Sequence, residues 1–223
     1  MNGGSQATRW WLIRHAPIAE PYRGRIVGRT DVEIARPVDV AALRQGLPER
    51  PEWVVSPALR ARQTAEALGA RTWRVVPELA EQDFGRWEGE SWTELIDRDP
   101  EAARFQEAYD HIRPPGGEAL LEVQRRCWSA LEALAADPPA PDVVVVAHSG
   151  PIRCLVAKIL EIPLGVVARL SIDYLSLTRI DGGPDFWQVR AVNAACLAAV
   201  SVLEPDRSRH LGTRCNSVTV PPL

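Results

Sequence analysis

The 223-residue sequence lacks any apolar run long enough to cross a bilayer, which argues against a membrane-spanning chain. Its opening, MNGGSQATRWWLIRH, lacks a basic stretch followed by an apolar one. A secretory leader is therefore not expected, and a cytoplasmic setting is. Cysteine is scarce. Cys127, Cys154, Cys196 and Cys215 form no C-x-x-C pair and no zinc spacing, which excludes a disulfide scaffold and fits reduced thiols. Histidine is equally scarce at four, so neither a metal site nor a cofactor is expected. Lysine is almost missing: of 26 basic residues only Lys158 is a lysine, a bias best read as genomic. Basic residues do not outnumber the 29 acidic ones, and the net charge of −3 argues against a nucleic-acid binder. What remains is an ordinary globular composition, 46% hydrophobic and 25% charged, sized for one domain with room for an inserted lobe.

Short apolar runs between chain-breaking residues mark the strands. Trp10–Ile13 and Trp53–Val55 are two of them, and the unalternating run Val143–Val146 reads as a strand buried on both faces, as in a parallel sheet. Runs near 172–180 and 186–192, parted by Gly182-Gly183-Pro184, read as an antiparallel pair at one edge. Helical patterns lie between them at 38–46, 57–69, 118–136 and 151–160. Ser56 is expected to cap the second and Pro57 to open it; Pro151 is expected to open the last. The class is α/β: three layers, a mostly parallel central sheet with helices on both faces. Residues 82–117, rich in Trp and charge, read as a small lid insertion in a single domain over 1–203. Residues 204–223 read as a loosely ordered tail.

In such sheets ligands bind at the carboxyl ends of the strands. The first strand runs into Arg14-His15, and the Val143–Val146 strand into Ala147-His148-Ser149-Gly150. The Trp53–Val55 strand runs into Ser56, with Arg60 one turn later. Two histidines and two arginines at three strand ends suit an anionic tetrahedral group. Arginine supplies forked donors of permanent charge. Helix starts add free N–H groups. An imidazole can attack phosphorus, and fixed cations can do the electrostatic work of a metal.

The residues at these positions resemble the histidine phosphatase superfamily, also called phosphoglycerate mutase-like. Four ordered blocks carry the resemblance over residues 10–155. They are Leu12-Ile13-Arg14-His15-Ala16; Ser56-Pro57-Ala58-Leu59-Arg60-Ala61-Arg62-Gln63-Thr64-Ala65; Leu79-Ala80-Glu81-Gln82-Asp83-Phe84-Gly85-Arg86-Trp87-Glu88-Gly89; and Val146-Ala147-His148-Ser149-Gly150-Pro151-Ile152-Arg153. Pro115-Gly116-Gly117-Glu118 resembles a further shared loop. The resemblance implies that His15 is the nucleophile that becomes phosphorylated. It implies that Arg14, Arg60 and His148 hold the phosphoryl oxygens, and that Glu81 is the acid that later activates water. Ser149 stands where some branches carry the acid, which favours Glu81, and it is a further candidate phosphate ligand.

The implied activity is a metal-independent phosphomonoesterase acting on a small phosphorylated metabolite through phosphohistidine. Its partner is that substrate, with no nucleic acid and no membrane, and a homodimer is left open. A phosphomutase and a non-catalytic binding module are the alternatives. Ala16 departs from the family glycine, and the loop Pro17–Tyr22 lacks its Thr/Ser and Asn. Arg23, Arg25 and Arg29 are candidates to approach substrate. Gly28-Arg29-Thr30-Asp31-Val32 is similar to a segment of the bacterial α-ribazole phosphatase branch, a pointer to α-ribazole phosphate. Gln63 and Thr64 are expected to be structural, and Trp87 and Trp92 to pack the lid rather than stack on substrate.

Overall fold

The computed structural model describes residues 7–195. The expectations for the tail and for Cys196 and Cys215 lie outside them. Six strands form one sheet: β1 (Thr8–Arg14), β2 (Glu52–Val55), β3 (Arg74–Val75), β4 (Asp142–Ala147), β5 (Leu177–Gly183) and β6 (Phe186–Ala194). Their order is β3-β2-β4-β1-β5-β6. The first four strands in that row run parallel, β5 is antiparallel to β1, and β6 is antiparallel to β5 at the edge. The helices are α1 (Ala41–Gly46), α2 (Leu59–Ala67), α3 (Trp92–Arg98), α4 (Pro100–Glu107), α5 (Leu120–Ala136) and α6 (Ser149–Ile159). None among the described residues is long and apolar enough to cross a membrane.

The unalternating runs are explained by the layers. Successive side chains of a strand point to opposite faces. Trp10, Leu12, Val143 and Val145 join α5 and α6 in one core cluster. Trp11, Ile13, Val144 and Val146 join α1 and α2 in another. Each face needs an apolar residue, so neither strand can alternate. A third cluster gathers Trp87, Leu95, Ala102 and Phe105 with Ile26. Phe105, 1% exposed, is its hub. It stacks on Trp92 (5.7 Å between centroids) and meets Trp87 (5.3 Å) and Tyr109 (4.9 Å) edge-on.

Several boundaries differ from expectation. The edge pair is present, but β5 starts at Leu177, and Ile172 instead packs in the core before it. β3, two exposed residues with no apolar pattern, is legible only from its pairing with β2. α2 begins at Leu59, after Ala58, and its cap is tertiary: the Leu59 N–H donates to Asp31 Oδ1 at 2.7 Å. α6 begins at Ser149, so Pro151 is its third residue rather than its first. Its missing N–H still costs nothing there, because the first turn has no intrahelical acceptors for those groups.

Candidate active site

Strand register assembles the site. Arg14 pairs with Ala147 across β1 and β4, so the residues that follow, His15 and His148, leave the sheet side by side. Their rings lie 5.1 Å apart, edge to face. Val55 pairs with Val146 across β2 and β4, and Ser56 continues that register by donating its N–H to the Val146 carbonyl (3.0 Å). Ser56 is therefore not the cap of α2. Its Oγ lies 2.7 Å from His148 Nε2 and accepts only the Ala58 N–H, at 3.4 Å, just before the helix.

A hydrogen bond assigns the proton on the His15 imidazole. His15 Nδ1 lies 2.8 Å from the Ala16 carbonyl, which can only accept. Nδ1 therefore carries the hydrogen and Nε2 keeps a free lone pair. The Ala16 N–H donates to Thr64 Oγ1 (2.9 Å), whose own hydrogen goes to the Arg60 carbonyl (2.6 Å). Thr64 thus holds the backbone that orients His15, a sharper role than general packing. His148 is fully buried, with Nε2 on Ser56 and Nδ1 without a partner. Burial pushes both imidazoles well below their ordinary range, and Arg60 and Arg14 push further in the same direction. Both effects favour the neutral form of each imidazole in the free site.

The arginines are held by backbone oxygens, with carboxylates such as Glu81 acting on them only from a distance. Arg60, 2% exposed, donates to the Gly28 (2.6 Å) and Thr30 (2.9 Å) carbonyls. Arg14 donates to the Ile172 carbonyl (2.6 Å) and lies 3.8 Å over the Tyr174 ring, with its buried Nε unpaired. Desolvation lowers the affinity of both guanidiniums for their protons. The loop that holds Arg60 is itself organised by Glu88, whose carboxylate accepts the N–H groups of Arg29 (2.7 Å) and Thr30 (2.8 Å). Gly28 has φ +52°, and a Cβ there would sit 2.0 Å from Glu88 Oε1. Only glycine permits this approach.

Glu81 stands at the same cleft. Its Oε1 accepts the Gln82 N–H at 2.9 Å. Its Oε2 lies 3.4 Å from both Ser149 Oγ and the Gly150 N–H at the start of α6. A Cβ on Gly150 would meet Glu81 Oε1 at 2.2 Å, so the glycine reserves the space of the carboxylate.

One cleft is lined by Arg14, His15, Arg60 and Glu81 at its charged end. Tyr174 lines it beside Arg14 and His15, and Ile18, Ile26, Phe84 and Trp92 add apolar lining. Trp87 is buried in the aromatic cluster as expected, whereas Trp92 both packs that cluster and lines the cleft. Gln63 is structural, its Oε1 accepting the Ile34 N–H (2.9 Å). Among the three candidate arginines, Arg25 lines the cleft. Arg23 pairs with Glu20 in solvent, and Arg29 turns to Glu118 and to the Glu81 carbonyl. Sequence reasoning missed Tyr174. It reaches the site through a turn in which the Leu175 N–H donates to the Arg14 carbonyl (3.1 Å), and no local motif announces that. Among the described residues no three His, Cys, Asp or Glu side chains gather as a metal site.

The family model described as histidine phosphatase superfamily (branch 1) matches residues 10–195. The chain belongs to that superfamily. Within it, the chain is 32% identical to a glucosyl-3-phosphoglycerate phosphatase of Mycobacterium tuberculosis, over 89% of this chain and 100% of that one. A solved structure of the mycobacterial glucosyl-3-phosphoglycerate phosphatase superposes with a TM-score of 0.72 at 26% identity, covering 85% of this chain and 100% of that one. A solved putative α-ribazole-5'-P phosphatase of Escherichia coli reaches a TM-score of 0.76 at 23% identity, covering 85% and 98%, and shows the shared fold. A bifunctional protein of M. tuberculosis is 38% identical over 56% of this chain but only 35% of its own length. The chain thus spans about a third of that longer relative.

Proposed function

We propose that this histidine phosphatase family member is a phosphomonoesterase that transfers a phosphoryl group to His15 and then to water. The observation that carries this reading is the His15 imidazole. Its Nδ1 hydrogen is tied to the Ala16 carbonyl, so its Nε2 lone pair is free, in a cleft shared with Arg14, Arg60 and Glu81.

In the first step Nε2 bonds to phosphorus as the bond from phosphorus to the leaving oxygen breaks. Protonated Glu81 gives its hydrogen to that oxygen. Arg14, Arg60 and His148 stabilise the charge on the equatorial oxygens. In the second step the Glu81 carboxylate takes a proton from water as the water oxygen bonds to phosphorus and the N–P bond breaks. Phosphate leaves, and both residues return to their starting state. Ser149, in contact with Glu81, orients the carboxylate more directly than it binds phosphate. In this reading residues 82–117 are the lid of the domain, and their aromatic side chains wall the leaving-group end of the cleft.

The substrate is a small phosphorylated metabolite. The segment 28–32, similar to α-ribazole phosphatases, supports Arg60 and caps α2. It therefore speaks to the phosphate end rather than to the rest of the substrate. The apolar wall suits a leaving group with a ring or apolar face, and this keeps α-ribazole phosphate as the first substrate to try. Phosphate release should be measured with excess chelator on a panel of α-ribazole phosphate, glucosyl-3-phosphoglycerate, phosphoserine, the phosphoglycerates and p-nitrophenyl phosphate. Turnover insensitive to chelator is expected, and His15→Ala should lower it by about 10⁴-fold or more. Isomer conversion without phosphate release would make the protein a mutase. Tight binding without turnover would make it a binding module.

A further inference from the structure

Glu81 lies on an irregular strap that follows the short helical turn Pro77–Leu79. One guanidinium holds this strap to α5. Arg126 donates Nη1 to the carbonyls of Glu78 and Ala80 (2.7 Å to the latter) and Nη2 to the carbonyl of Glu81 (3.1 Å). Its remaining capacity goes to a bidentate pair with Glu118, Nε to Oε1 at 2.7 Å and Nη2 to Oε2 at 2.8 Å. Both partners are largely buried, with side chains 16% and 15% exposed. Glu118 is fixed in turn. Its Oε2 lies 3.5 Å from the Asp83 N–H and 3.5 Å from Arg29 Nη2, and its carbonyl accepts Gln82 Nε2 at 2.8 Å. Arg29 Nε adds a second donor to the Glu81 carbonyl (3.2 Å).

The backbone of Glu81 is thus gripped by two arginines that share one carboxylate. Its side chain must meet the narrow slot left by Gly150. Displacement of a reacting group by about 1 Å can cost on the order of 10²-fold in rate, so such a grip bears on chemistry as well as on folding.

We propose that Arg126, locked by Glu118, is a positioning residue for Glu81. It fixes the backbone of the strap and so aims the carboxyl group at the leaving oxygen, without contacting substrate. The proposal rests on the reading of Glu81 as the general acid. A positioning role has a signature that a purely structural one lacks, because proton donation matters only for leaving groups that need a proton. Lysine in place of Arg126 keeps the charge but cannot reach three carbonyls and a carboxylate together.

The test compares kcat/KM for glycerol phosphate, a poor leaving group, with that for p-nitrophenyl phosphate, whose phenolate departs unprotonated. The proteins are wild type, Glu81→Gln, Arg126→Lys and Glu118→Gln, each checked for folding by thermal melting. In Arg126→Lys the glycerol phosphate value should fall at least about tenfold further than the p-nitrophenyl phosphate value, a smaller copy of the Glu81→Gln pattern. Glu118→Gln, which leaves the guanidinium in place, should show the same bias and serves if Arg126→Lys does not fold. A parallel fall for both substrates, or no fall, would overturn the positioning role. If Glu81→Gln shows no leaving-group bias, the acid assignment itself fails, and the proposal with it.

Discussion

The two ends of the cleft are built by different physics. At the end proposed to take phosphate, His15 and Arg60 line the cleft, His148 packs on His15 and Ser56 bonds His148; the four are buried and come from three adjacent strand ends and the helix after one of them. Strand register and backbone hydrogen bonds fix each of them. At the other end, Phe84 and Trp92 come from a segment whose order depends on aromatic packing around Phe105. Backbone geometry tolerates little variation, so the first end suits a constant group such as phosphate. Side-chain packing can be rearranged one residue at a time, so the second end suits the part of a substrate that varies. Under the proposed function, the chain thereby separates chemistry from selection.

Mutations can test this division. The largest effect on stability is expected from Phe105→Ala, which empties the hub of the aromatic cluster. It should cost about 3–5 kcal/mol if the cluster unfolds with the sheet. If calorimetry instead shows an unchanged main transition and an early partial one, the cluster melts as a separate unit. Next, Arg60→Ala should lower kcat/KM by about 10²–10³-fold for every substrate alike, because it acts on the common phosphoryl group. A loss that varied strongly among substrates would erase the distinction between the two ends. Trp92→Ala should change kcat/KM by roughly tenfold for substrates with ring-bearing leaving groups and less for glycerol phosphate. An equal change for both would remove Trp92 from selection.

A separate effect is on acid stability. His15 and His148 are held below the ordinary imidazole value of 6.5 by burial and by the arginines. Above that value neither the folded nor the unfolded form binds a proton there, and the two histidines contribute nothing to the pH dependence. Below it the unfolded chain takes up protons that the folded one refuses, so stability declines by up to about 1.4 kcal/mol per pH unit for each histidine. Melting between pH 7 and pH 5 should show this slope, and saturating inorganic phosphate should flatten it by stabilising the charged imidazoles. A slope unchanged by phosphate would place the anion elsewhere.

The strands of the sheet were readable wherever burial on both faces left an apolar run, as in β1 and β4. So were the residues that follow them, because a strand carries its register into the next residue. Other features depended on partners far along the chain. Ser56 reads locally as a helix cap, yet its hydroxyl serves His148, 92 residues later. The cap of α2 comes from Asp31, 28 residues earlier. Arg29 reads as a candidate substrate ligand, and only the position of Glu118 shows that it braces Glu81 instead.

Local sequence determined which side chains leave the sheet at its carboxyl edge, because pleat and strand length are local properties. It also carried the four blocks that mark a histidine phosphatase. The tertiary structure decided which His15 nitrogen is free, which arginines bind backbone carbonyls, that Tyr174 lines the cleft and that Arg126 holds the backbone of Glu81. Those outcomes follow from hydrogen bonds and desolvation among residues distant in sequence, whose energies exist only once the chain has closed around them.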